Sequence, residues 1–167
     1  MRFEEKLSAV FGLDDETWMR HANPWSVWTR TTVLPALVVS FWSRVWIGWW
    51  SVVPVVISVL WMFLNPRLFP EPESTDNWAS KAVLGERVWK NRDETPVPTV
   101  HKKGPHILNG VSAAGTVMLV WGVYRLHVWF TLTGLVLAFV GKLWFLDRMV
   151  WLYEDMKDVE EYGEWLY

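Results

Sequence analysis

Residues 31–64 read TTVLPALVVSFWSRVWIGWWSVVPVVISVLWMFL, and across these 34 positions Arg44 is the single charged side chain. A membrane-spanning helix needs about 20 predominantly apolar residues, within a range of about 17–25. The stretch is too long for one span and suits two, with Arg44 marking the turn. Residues 107–146 repeat the arrangement, with Arg125 near the middle and Lys142 close to the end as their only charges. Strands of a membrane barrel would alternate polar and apolar residues over about 9–11 positions, and a soluble core helix would carry a polar stripe. Residues 46–64 offer only Ser51 and Ser58 for such a stripe. The expected fold is all-α: a polytopic membrane protein with four transmembrane helices as two hairpins, plus interfacial amphipathic helices.

The spans are expected at about 24–44, 46–64, 107–124 and 128–146. Asn23 is placed to cap the first, with Pro24 at its first helical position. The second should stop at Asn65, because the residue before a proline is pushed out of the α region. All 167 residues form one membrane domain, as the length suggests. Residues 1–23 read as an interfacial segment, with Phe3, Leu7, Val10 and Phe11 on one helical face and a second short helix from Asp14 to Ala22. Residues 65–106 are a loop opened by Pro66, Pro70 and Pro72, followed by an amphipathic helix at 76–91 capped by Asp76. That helix gathers Trp78, Ala82, Gly85 and Trp89 on one face. Residues 147–167 form an acidic helical tail, either solvated or docked on the basic loop. Gly110/Ala114 and Gly134/Ala138 are small-residue pairs suited to close helix packing.

Charge sets the orientation. With both termini cytoplasmic, fourteen of the sixteen Lys and Arg residues lie inside and only Arg44 and Arg125 outside, as the positive-inside rule demands. The fifteen tryptophans support the same arrangement. Trp42, Trp46, Trp49 and Trp50 crowd the first outer turn, and Trp121 and Trp129 flank the second. Trp25, Trp28, Trp61, Trp144 and Trp151 fall near the inner ends. An indole is apolar with one N–H that wants a partner, so it gathers at headgroup level. The expected location is the cell membrane, multi-pass.

Composition excludes several chemistries. Without cysteine there is no disulfide, thiol nucleophile or thiolate metal site. A net charge of −2 gives no field for nucleic acid. No acid lies mid-span, where proton-coupled pumps place one. His21, His101 and His106 are weak metal candidates, because none shares a helix face with another at ligand spacing. No cofactor is expected. The anion- and lipid-binding candidates are Arg87, Lys90, Arg92, Trp78 and Trp89 on the loop helix, facing an anionic leaflet. Arg30 and Asp147 are candidates for an ion pair tying the first span to the fourth.

The leading functional expectation is a non-enzymatic binding or accessory protein. Its partners would be the bilayer, anionic lipid in particular, and a second copy or another membrane protein. One alternative is a membrane-embedded enzyme acting on a lipid or isoprenoid headgroup through Glu86, Arg87, Arg92 and His101 or His106. Another is a small transporter or channel lined by Ser40, Ser58, Asn109 and Thr131. Convergence of either set in space would favour the corresponding alternative.

Several strings carry a family likeness: NPWSVWTR at 23–30, WIGWW at 46–50, NPRLFP at 65–70, and LGERVW at 84–89 followed by Asn91 and Arg92. Together, over roughly 23–98, they resemble an uncharacterised family, a domain of unknown function, of small tryptophan-rich prokaryotic integral membrane proteins. The resemblance implies a membrane protein and brings no activity or site residue with it.

Overall fold

The computed structural model describes residues 15–167, and all regular structure among them is helical. In chain order the helices are α1 (Asp15–His21), α2 (Pro24–Thr31), α3 (Val33–Trp42), α4 (Arg44–Ile47), α5 (Val52–Leu68), α6 (Trp78–Lys90), α7 (Gly104–Arg125), α8 (Val128–Met156) and α9 (Glu160–Gly163). Three stretches are long and apolar enough to cross a membrane: Pro24–Leu68, Thr99–Arg125 and Val128–Met156. The interfacial face expected at Phe3–Phe11 lies outside the described residues.

The first stretch, at 45 residues, folds back on itself. A 3₁₀ turn at Gly48–Ser51 follows α4, and Gly48 takes φ 56°. That conformation costs glycine nothing and other residues about 1 kcal/mol or more. α3 then packs against α5. Asn23 caps α2 as expected, its side chain accepting from the Trp25 N–H at 2.9 Å. The expected stop at Asn65 is overturned, because α5 continues through Pro66 to Leu68. Asn65 is fully buried and fixed by side-chain hydrogen bonds, and the Arg67 guanidinium donates to Phe63 O at 2.8 Å within the same turn.

α7 and α8 form the closest pair, in backbone contact. A Cβ added at Gly115 would stand 2.4 Å from the Ala138 nitrogen, and one at Gly134 would stand 2.4 Å from the Leu119 nitrogen. Gly134 and Ala138 serve this contact as expected. On α7 the contact runs through Gly115 and Gly122, whereas Gly110 faces open space. The outward surface of the apolar helices is rich in exposed hydrophobic side chains, including Trp46, Trp49, Val117 and Trp129.

At one end of these helices sits a second layer with its own core. α6 lies along the C-terminal half of α8, so close that a Cβ on Gly85 would overlap the Met149 carbonyl. Ala82, Val83, Leu84, Val88 and Trp89 from α6 join Met149, Leu152 and Tyr153 from α8, together with Trp18 of α1 and Tyr162 of α9. The cap of α6 is Asn77, whose side chain accepts from the Ser80 N–H at 3.0 Å, rather than Asp76, which pairs with Lys81 at 2.5 Å. Trp89 is 4% exposed. The face expected to lie on lipid therefore packs inward, because its small residues, Ala82 and Gly85, let the helix backbones meet.

The acidic tail is docked. Helix α8 ends at Met156, and the chain then turns back along the loop. Lys81 bridges Asp76 and Glu154, the latter at 2.5 Å. Thr95 donates to Glu161 at 3.2 Å, and the Thr75 N–H donates to Tyr167 O at 2.8 Å. Those two carboxylates hold the Lys81 ammonium above the usual lysine range.

Candidate functional site

Between α2–α3 and α8 lies a cleft of about 340 Å³, roofed at the second layer by α1 and α6. Two features keep it open. α8 packs on α7 and α6, with α3 across the gap. At the far end, Arg44 ties the two sides by donating to Val123 O and, at 3.1 Å, to Tyr124 O. Those carbonyls belong to the last turn of α7, and Val123 O also accepts from the Leu126 N–H at 3.3 Å.

The cleft wall is divided by polarity. Val27, Leu34, Ala138, Phe139 and Leu143 make an apolar flank, while His21, Arg30, Glu86 and Lys142 form the polar end. Lys142 Nζ reaches Glu86 Oε1 at 2.5 Å, with half of the Lys142 side chain still exposed. Its methylene stem rises along α8 and its ammonium passes 4.7 Å from the Phe145 ring centroid, as expected for a lysine one turn inside an apolar helix.

A directed hydrogen-bond relay fixes the histidine. Asn65 donates through Nδ2 to Thr29 Oγ1 at 2.8 Å, and Thr29 donates to Trp25 O at 2.6 Å. Asn65 Oδ1 accepts from the Ser26 hydroxyl at 2.8 Å. Having spent its proton there, Ser26 Oγ must accept from His21 Nδ1, 3.1 Å away. The ring is then the Nδ1–H tautomer, and Nε2 carries the lone pair. Burial above all, then the positive charges of Arg30 and Lys142, push the imidazole pKa down to about 3. His21 is therefore neutral, and among the described residues the polar end brings Arg30 and Lys142 beside Glu86.

The residues singled out from sequence go to different places. Arg87 pairs with Asp15 and lies 4.1 Å from the Trp165 ring centroid. Arg92 sits 4.5 Å over Trp89 and donates to its carbonyl. Lys90 stands 5.8 Å from the Trp18 ring. Trp78 stacks on Trp28 at 5.5 Å and donates to Asp147 at 3.4 Å. Asp147 also takes Arg148 at 3.0 Å, while Arg30 faces the cleft within electrostatic reach of Glu86. The histidines also separate. His101 meets Asp155 at 2.7 Å, and His106 packs edge-on to Trp89. Among the described residues no group of three or more His, Asp or Glu is placed to hold a metal ion.

Glu86 thus leaves Arg87 and Arg92 and joins His21, Arg30 and Lys142, a set the sequence never displays as a motif. Its one-dimensional trace is the isolation of Arg30 and Lys142 at the ends of otherwise apolar runs. Three hydroxyls of the apolar helices turn back on their own chain, Ser40 to Ala36 O, Ser58 to Pro54 O and Thr131 to His127 O, while Ser112 donates across to Ala138 O at 3.1 Å.

No curated protein and no solved structure matches this chain. The model of a family of unknown function, DUF6653, matches residues 2–166, and the chain belongs to that family.

Proposed function

We propose that this is a four-span, tryptophan-rich integral protein of the cell membrane, with both termini cytoplasmic, that binds an anionic lipid without transforming it. The observation that carries the reading is the cleft itself, apolar along one flank and bearing two cations at the end where the span helices meet the second layer. A lipid presents the same division, an acyl chain below a charged headgroup. Charged side chains at membrane depth are expensive unless they pair or face a polar cavity, and Arg30 and Lys142 both line this cleft, Lys142 beside Glu86. The count of four spans is supported by the reversal at Gly48 and the packing of α3 on α5. The orientation is supported by Arg30, Lys142 and the lysines and arginines of the second layer lying at one end, with Arg44 and Arg125 at the other, since the rule counts Lys and Arg rather than net charge.

The enzyme alternative has less support, because Arg87 and Arg92 are engaged away from Glu86, His101 is paired with Asp155 and His106 packs on Trp89. The transport alternative loses ground because Ser40, Ser58 and Thr131 each bond back to a carbonyl of their own chain one turn earlier.

Native mass spectrometry from nanodiscs tests the lipid reading. Retained anionic lipid supports it, and a bare protein overturns it. Since the chain has no cysteine, single cysteines at Trp49, Lys102 and Leu126 test the topology with a membrane-impermeant maleimide. Trp49→Cys and Leu126→Cys should label from outside and Lys102→Cys only after permeabilisation.

A further inference from the structure

The two longest helices, α7 and α8, meet at one turn and can be read as rulers from it. At about 1.5 Å per residue, the hydrocarbon core of a bilayer, about 30 Å, takes about 20 residues. Counted from Tyr124 back along α7, that length ends at Gly104, next to the exposed Lys102 and Lys103. Counted from Trp129 along α8, it ends at Met149, short of the helix end at Met156. Met149 is where α8 touches Gly85 of α6. α6 crosses α8 around this height: Trp78 meets Asp147 at 3.4 Å, Lys81 meets Glu154 at 2.5 Å and Glu86 meets Lys142 at 2.5 Å. The 29 residues of α8 reach about 43 Å, against about 40–45 Å for a bilayer with its headgroups.

We propose, building on the membrane reading above, that the second layer is embedded in the inner headgroup layer of the bilayer and that its rim is a phospholipid-binding surface. The outward face of α8 carries the argument. Val140, Trp144 and Trp151 lie on one helical face, four and seven residues apart, and each is about half exposed. The face that meets lipid along the span thus continues through the level of α6 and past it. Trp144 falls about 7 Å inside the boundary at Met149, and Trp151 about 3 Å beyond it, at the depth where indoles gather. Between them, Arg148 pairs with Asp147 at 3.0 Å and lies 5.7 Å from the Trp151 ring centroid. The next acid on this face is Asp155, half exposed and paired with His101. Trp25 at the start of α2 and Val100 ahead of α7 add exposed apolar surface to the second layer. Large apolar side chains on a layer whose own core is closed mark a surface that something covers, and continuity with the span face makes that cover the bilayer.

The test is a depth series on the full chain, which has no native cysteine, in vesicles of phosphatidylcholine and phosphatidylglycerol. Single nitroxide labels at Val140→Cys, Trp144→Cys, Trp151→Cys and Asp158→Cys are read by power saturation with oxygen, which concentrates in hydrocarbon, and with a water-soluble nickel chelate. Oxygen should dominate at Val140→Cys and Trp144→Cys, the two reagents should balance at Trp151→Cys, and nickel should dominate at Asp158→Cys. Trp151→Cys matching Asp158→Cys, with the balance moved to Trp144→Cys, overturns the embedding and leaves the membrane reading standing. A label at Trp144→Cys or Trp151→Cys screened from both reagents means that a second copy or another protein covers the face, and overturns it too. Nickel dominance at Val117→Cys, on the exposed face of α7, overturns the membrane reading itself. All five side chains are exposed, so the replacements leave the core packing in place.

Discussion

Protonating His21 should loosen the roof of the cleft, and its cost can be worked through. In the folded chain burial, Arg30 and Lys142 hold the imidazole near pKa 3, against an ordinary 6.5 once the ring reaches water. Because the folded value is depressed, the stabilisation is complete above pH 6.5 and is lost as pH falls from there toward 3. Near pH 5 the exposed ring gains about 2 kcal/mol from its proton and the buried ring almost nothing. Any opening that wets His21 therefore becomes about 2 kcal/mol easier than near pH 7.5, about thirtyfold in population. Hydrogen–deuterium exchange of Asp15–His21, corrected for intrinsic rates, reports that opening directly. His21→Gln, whose amide can still donate to Ser26, should flatten the pH dependence between those limits, leaving whatever slope the carboxylates contribute. Imidazole NMR shifts supply the independent check: the ring should stay neutral, with Nδ1 protonated, down to at least pH 5. Titration near 6.5, or equal pH slopes in wild type and His21→Gln, would refute the relay and the burial argument together.

Other perturbations bear on the frame around the cleft. Gly85→Ala drives a methyl group into the Met149 carbonyl and should destabilise by about 1–3 kcal/mol or more by thermal unfolding in detergent. Gly110→Ala, which meets nothing, should be neutral or gain up to about 1 kcal/mol, and equal losses at both sites would contradict the packing. Asn65→Leu strips Ser26 and Thr29 of their shared partner and should cost about 1–3 kcal/mol, a value that a thermal shift near zero would sink. Arg44→Gln removes the outer tie to Val123 and Tyr124. Spin labels at Trp46→Cys and Leu126→Cys should then show a broader distance distribution, and an unchanged one would mean that packing alone holds that end.

How much of this was legible in the chain depends on what kind of physics placed each residue. The apolar stretches around Arg44 and Arg125 are visible because the bilayer imposes a length, and length survives in one dimension. Asn23 was readable as a cap because its partner, the Trp25 N–H, is two residues away. The loop helix shows where such reasoning stops. Its Trp78–Ala82–Gly85–Trp89 stripe has the same pattern whether the face meets lipid or another helix. The deciding fact is that Gly85 touches Met149, 64 positions later, with no room for a Cβ. That contact turned the expected lipid-facing side into core and sent Arg87 and Arg92 to Trp165 and Trp89. The same turn of α6 left Glu86 pointing the other way, into the cleft beside Lys142. Arg30 and Lys142 each look from sequence like a charge snorkelling to the nearest interface, and singly each would be. What sets them apart is that α2 and α8 bring them to one polar end of the cleft with His21 and Glu86. Residues from four separate helices leave no spacing to read, so a cluster of this kind is found by asking where the isolated charges of long apolar helices go.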